Sequence, residues 1–78
     1  MKIIVKYFGV LADITGKTDE FIPDIQNMRM LQHFLLQKYS GLENQQFQYS
    51  VNHKLVREKN CTFADGDEIA LLPPFAGG

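Results

Sequence analysis

The chain has one cysteine, no tryptophan, three prolines and almost no excess of charge, and each scarcity closes off a class of function. Cys61 alone cannot close an internal disulfide, and His33 and His53 lie too far from it in sequence to give a metal-ligand spacing. Neither a disulfide scaffold nor a metal site is expected, and the chain reads as cytosolic. Eight basic against nine acidic side chains leave a formal net charge of −1. A field that weak does not hold nucleic acid or an anionic membrane surface. No apolar run approaches the ~20 residues of a membrane span, and the first residues form a short β-type run instead of a signal sequence. A phosphate-binding glycine loop, a dinucleotide fingerprint and a nucleophile–base constellation are missing as well. With 78 residues there is room for one small domain and none for separate cofactor and substrate folds.

What is present is the pattern of a folded α+β domain, with a hydrophobic fraction of 45%. Lys2–Phe8 alternates with period two, which predicts a half-buried strand with Ile3, Val5 and Tyr7 toward the core. Gly9 breaks that run. Val10–Ile14 is a short apolar stretch in a loop, ending at the turn Thr15-Gly16-Lys17 and leading to a second strand around Thr18–Ile22. Asn27 is placed to cap a helix whose apolar positions Met28, Leu31, Phe34, Leu35 and Tyr39 recur at helical spacing, with Met28 and Met30 as core filler. Gly41 is placed to end this helix, with Leu42 folding back onto it. The polar Glu43–Gln48 segment is a loop. Phe47–Asn52 and Leu55-Val56 read as a hairpin connected by Asn52-His53-Lys54. Asp65-Gly66-Asp67 is a turn that launches Glu68–Leu72 as the last strand, and Pro73-Pro74 ends it. The expected order is β-β-α-β-β-β, one main helix packed on one mixed sheet of four to five strands.

Two of the six glycines stand together at the end, Gly77 and Gly78, after Pro73-Pro74-Phe75-Ala76. The expected division is a body over 1–74 and an extended tail over 75–78, whose four residues reach at most ~14 Å. Two terminal glycines remove every side chain beside the carboxylate, so it can enter a narrow channel and turn freely there. A carboxylate is a poor electrophile. To carry a group it must be activated, most simply by transfer to the AMP moiety of ATP.

The opening strand with Tyr7-Phe8, the Val10–Gly16 segment, Val51–Val56, Asp65–Ile69 and Pro73–Gly78 together resemble, from end to end, the small sulfur-carrier subunit of molybdopterin synthase. That family lies within the ubiquitin-like β-grasp sulfur carriers. The resemblance implies a β-grasp fold with the first and last strands side by side at the sheet centre. It implies that Gly78 is adenylated and then thiocarboxylated, with Gly77 giving flexibility. It further implies that the sulfur goes to a cyclic pyranopterin precursor to form molybdopterin. The implied partners are the large synthase subunit, in a heterotetramer, an adenylating E1-like activating enzyme, and a sulfur-donor system. No cofactor is expected on the chain, because ATP is used by the activating partner. The chain is then a cosubstrate and not a catalyst by itself.

Docking is assigned by strand alternation. If Ile3, Val5, Tyr7, Ile69 and Leu71 face the helix, then Phe8, Ala70 and Leu72 face the other way and are left in water. Phe8, Leu55, Leu72 and Phe75 are the expected partner-binding patch leading to the tail. Cys61 reads as a small packed residue, His33 and His53 as surface or locally bonded groups, and Lys2 and Lys6 as a solvated face or interface rim. Three other functions share these features: a sulfur carrier for the thiazole of thiamine, a ubiquitin-like protein modifier, and a β-grasp interaction module with an inert tail.

Overall fold

Strand β1, Lys2–Tyr7, buries Ile3, Val5 and Tyr7 and leaves the alternate residues more exposed, as the period-two pattern predicts. The computed structural model describes residues 1–74. After β1 come a short helix α1 (Val10–Thr15), strand β2 (Asp19–Pro23), helix α2 (Met28–Lys38) and a 3-10 turn (Ser40–Asn44). Strands β3 (Gln48–Val51), β4 (Lys54–Val56) and β5 (Glu68–Leu72) complete the chain. The sheet order is β2-β1-β5-β3-β4. The first and last strands pair in parallel, Val5 beside Ile69 and Tyr7 beside Leu71, and every other pairing is antiparallel. This is the β-grasp arrangement, with the two chain ends meeting at the sheet centre.

Helix α2 forms where the sequence places it. Asn27 is extended at φ −154°, and its side-chain oxygen accepts the Met30 N–H at 2.8 Å. Met28, Leu31 and Leu35 lie on one face and are buried against Ile3, Val5, Ile69 and Leu71. Withdrawing a side chain such as Leu31 or Leu35 from water is worth about 1.5–3 kcal/mol, so this stripe supplies much of the cohesion. Phe34 and Tyr39 pack on the core while half-buried.

Four local expectations are corrected. Val10–Thr15 is a helix and not a loop, and its Leu11 is fully buried. Six residues are too few for a helical period to emerge from an apolar run. Met30 is exposed and fills no core. Gly41 does not terminate α2, which already ends at Lys38, with Tyr39 out of helical geometry at φ −124° and ψ 86° and its N–H bonded to the Leu35 carbonyl at 2.8 Å. Gly41 lies in the 3-10 turn that follows, where a Cβ would sit 3.0 Å from the Ile14 methyl group, so its smallness admits α1. Leu42 is buried as expected, although the 3-10 turn and not a helix cap delivers it. Lys54 is the first residue of β4, leaving Asn52 (φ 49°) and His53 (φ 73°) as a two-residue turn whose twist suits a hairpin.

Asn52 also fastens this turn to the start of β5. Its amide donates to Asp67 at 3.0 Å and its carbonyl accepts the Glu68 N–H at 3.0 Å. Asp67 in turn accepts the Ala64 N–H at 2.9 Å, and Asp65 accepts the Lys2 N–H at 2.8 Å. Gly66, at φ 83°, makes the turn that brings these carboxylates together. Asn52→Ala removes both bonds and places alanine at a positive φ, and a loss of about 1–2 kcal/mol is expected in a denaturant titration. A loss under a few tenths would show that the clasp is dispensable.

Candidate functional site

Alternation along four strands builds one face of the sheet opposite the helix. Lys6 lies beside Ala70, Ala70 beside Ser50, and Ser50 beside Leu55, a continuous row across β1, β5, β3 and β4. Phe8 continues β1 past its last ladder residue, and its N–H donates to the Leu71 carbonyl at 3.2 Å. The result is a concavity of about 370 Å³ in which Phe8, Leu55 and Leu72 meet over Ala70 and Ser50. Phe8 is 46% and Leu55 51% exposed, and Leu72 is half-buried. Ala70 was expected to be wet and is only 6% exposed, because its methyl group lies low between the longer side chains of the row. Phe75, Gly77 and Gly78, and with them the tail division at 75–78, lie outside the described residues.

One side of the concavity is charged. Glu68 stands 3.4 Å from the Lys6 amine and 3.6 Å from Nε2 of His53. Exposed pairs of this kind contribute at most about 1 kcal/mol, so they form a polar rim and not a scaffold. Lys6 is thus the rim residue that its place on β1 suggests. Glu68, His53 and Ser50 were missed, because they join the site only through strand pairing, which sequence alternation does not reveal. No nucleophile is activated here, and among the described residues no group of three or more His, Cys, Asp or Glu is placed to hold a metal. The concavity thus has an apolar floor and a charged rim.

The exit of the chain from β5 is fixed at close quarters. Gly9 has φ 59°, and a Cβ there would meet the Pro73 ring at 3.0 Å. Only glycine combines that backbone with that approach. The β1–α1 corner therefore seats Pro73 immediately beyond Leu72, at the edge of the concavity.

A second cluster, around Glu20 of β2, was not anticipated. Tyr7 and Tyr39 both donate hydroxyl hydrogen bonds to its Oε2, at 2.6 and 2.5 Å, and Lys38 and Lys17 approach Oε1 at 2.8 and 3.4 Å. Burial by itself would raise the Glu20 pKa, but the bonds from Lys38, Tyr39 and Tyr7 outweigh it and pull the group from 4.5 down to about 2. Burial, and then the Glu20 carboxylate, push the Tyr7 hydroxyl well above its usual range, and the same carboxylate raises Lys38. The cluster ties β1 and β2 to the end of α2 on the core side of the sheet, away from the concavity. Its role is in stability.

Comparison with known proteins places this geometry. Residues 5–78 match the ThiS family. The chain is 32% identical to the molybdopterin synthase sulfur carrier subunit of Mycobacterium tuberculosis, over 100% of this chain and 99% of that one. It is similar to the solved complex of subunits 1 and 2 of the molybdopterin-converting factor from Helicobacter pylori, with 30% identity, TM-score 0.76 and full coverage of both chains. A putative molybdopterin converting factor subunit 1 from Pyrococcus furiosus shares the fold, with TM-score 0.86, 22% identity, and 96% and 99% of the two chains covered. Since the family match takes in nearly the whole chain, from β1 through the final glycines, the chain belongs to the ThiS family.

Proposed function

We propose that this chain is the sulfur-carrier subunit of a molybdopterin synthase. The carrying observation is that the apolar concavity of Phe8, Leu55 and Leu72 borders the exit of β5, from which the segment ending in Gly77-Gly78 departs. A body that docks there positions whatever Gly78 bears within ~14 Å of its own edge. The names of the relatives in Mycobacterium tuberculosis and Helicobacter pylori support the same reading.

The chemistry proceeds on partners. In an adenylating E1-like enzyme the Gly78 carboxylate attacks the α-phosphorus of ATP, pyrophosphate leaves, and a sulfide-level nucleophile from a donor system displaces AMP. The product is a C-terminal thiocarboxylate. In the large synthase subunit its sulfur attacks an oxygen-bearing carbon of the cyclic pyranopterin precursor, the carbon–oxygen bond breaks as that oxygen leaves with a proton or its phosphate, and water then cleaves the acyl–sulfur bond and restores the carboxylate. Each product needs two sulfurs, so two loaded carriers serve it in a heterotetramer built on a dimer of large subunits. This chain supplies a docking face, a reach and an unhindered terminal acyl group, and the partners supply acid–base groups and substrate pockets.

Phe75 completes the docking patch in this reading, alongside Phe8, Leu55 and Leu72. Leu55→Asp places a charge at the centre of an interface and is expected to weaken binding to the large subunit by roughly 30-fold or more, about 2 kcal/mol, without changing the melting temperature. Calorimetry with the purified large subunit measures it. Unchanged affinity would remove the open sheet face from the account.

A second reading is favoured by the ThiS match itself: the same loaded Gly78 serving thiazole formation for thiamine. The body and tail chemistry are common to both, so the distinction lies in which synthase binds the loaded chain.

A further inference from the structure

Met30, expected in the core, instead belongs to a second stripe on α2. With His33 and Gln37 it repeats at i, i+3 and i+7 on the side of the helix turned away from Met28, Leu31 and Leu35, and Phe34, half-buried against the core, stands at the border between the two faces. Ile25, just before the helix, joins Met30 and Phe34 as the apolar lining of a groove of about 570 Å³, and Arg29, His33 and Gln37 are its polar lining. Ile25 is itself a core residue and Phe34 packs against the core, so the exposed apolar surface of the groove centres on Met30. The core stripe of α2 is already satisfied by the sheet, and the concavity described above lies on the sheet's opposite face.

Charge indicates the occupant. Helix α2 has no acidic residue, and no carboxylate lines the groove. Lys38 is engaged by Glu20 at 2.8 Å, whereas Arg29 has no ion pair among the described residues. A ligand that fills the groove must bring apolar side chains at matching spacing and an acid for Arg29. One unpaired cation is too little for an anionic bilayer, which is held by clusters of several Lys and Arg. An amphipathic helix lying in an apolar groove meets both demands.

We propose that the outer groove of α2 is a second docking site, for an acidic amphipathic helix of a partner protein. The site stands independently of the sulfur-carrier reading. Because it faces away from the open sheet face, the two surfaces can be occupied together.

The test is a chemical-shift titration of the full-length 15N-labelled chain with a synthetic helical peptide carrying leucines at i, i+3, i+4 and i+7 and glutamates between them. A matched peptide with lysine for every glutamate is the control. The expected result is perturbation centred on Ile25, Met30, His33 and Phe34, with the glutamate peptide binding at least ~10-fold tighter than the lysine peptide and losing affinity as salt is raised. Arg29→Glu should reverse the preference between the peptides, and Met30→Asp should weaken binding ~10-fold or more, each with unchanged melting temperature. The proposal is overturned by equal affinity for both peptides, by absence of binding, or by perturbation at Phe8, Leu55 and Leu72 instead. Self-association abolished by Met30→Asp would identify a second copy as the occupant, and binding of phosphatidylserine vesicles in place of the peptide would identify a membrane. Either result also overturns it.

Discussion

Deleting Gly78 is expected to abolish sulfur loading completely while leaving the melting temperature of the body unchanged. The terminal carboxylate then sits on Gly77, about 3.5 Å short of its proper position, and even a ~1 Å misplacement at a reacting centre can cost ~100-fold. Among the described residues the core runs from Ile3 to Leu71, and a glycine brings no side chain to a core. Intact mass after incubation with ATP, a sulfur donor and the activating enzyme reads the loading, and a thermal melt reads the fold. A shortened chain that loads as fast as the full one would show that the position of Gly78 is not what the activating enzyme recognises.

The largest effect on stability is expected at Glu20. Its pKa is lower in the folded protein than the ordinary 4.5, so it adds stability above that value, and the contribution disappears as pH falls from about 4.5 toward 2. A lowering from 4.5 to about 2 corresponds to about 3–4 kcal/mol, which solvent screening of this partly exposed carboxylate reduces to roughly 2–3 kcal/mol. Glu20→Gln cannot accept from two tyrosines and two lysines together, because its amide group donates. At neutral pH the variant should melt roughly 10–20 °C lower, and its stability should vary much less between pH 5 and 2 than that of the parent. Parallel pH profiles for the two proteins would rule out the Glu20 cluster as the source of acid sensitivity.

Glu20 also shows where reading the sequence stops. The acid sits in an ordinary strand segment, and Tyr7, Lys38 and Tyr39 reach it only because β2 pairs with β1 and α2 ends above that pair. Such a cluster has no local signature. Elements whose cause is local were legible: the period-two strands, the Asn27 cap, the Asp65-Gly66-Asp67 turn and the Pro73-Pro74 stop. Helix α1 was not, since Val10–Thr15 is shorter than two turns and its helicity depends on the Gly9 corner and on Leu11 packing into the core. Met30 misled for a related reason. Its spacing from Phe34 is as regular as that of Leu31 from Leu35, and only the placement of the sheet decides which stripe is buried. That Phe8, Leu55 and Leu72 share the open sheet face was legible from alternation and hydrophobicity, whereas the Lys6–Glu68–His53 rim required the register between β1, β5 and the β3–β4 turn.

The central claim is that sulfur travels on the terminal carboxyl group of Gly78. It is tested most directly by the intact mass and C-terminal fragmentation of the full-length chain, incubated with ATP, a sulfide donor and its activating enzyme. The account predicts the increment for one oxygen replaced by sulfur, confined to Gly78 and discharged when the large synthase subunit and the pterin precursor are added. An unchanged mass under conditions that load a known carrier, or an increment on Cys61 in place of Gly78, would contradict it.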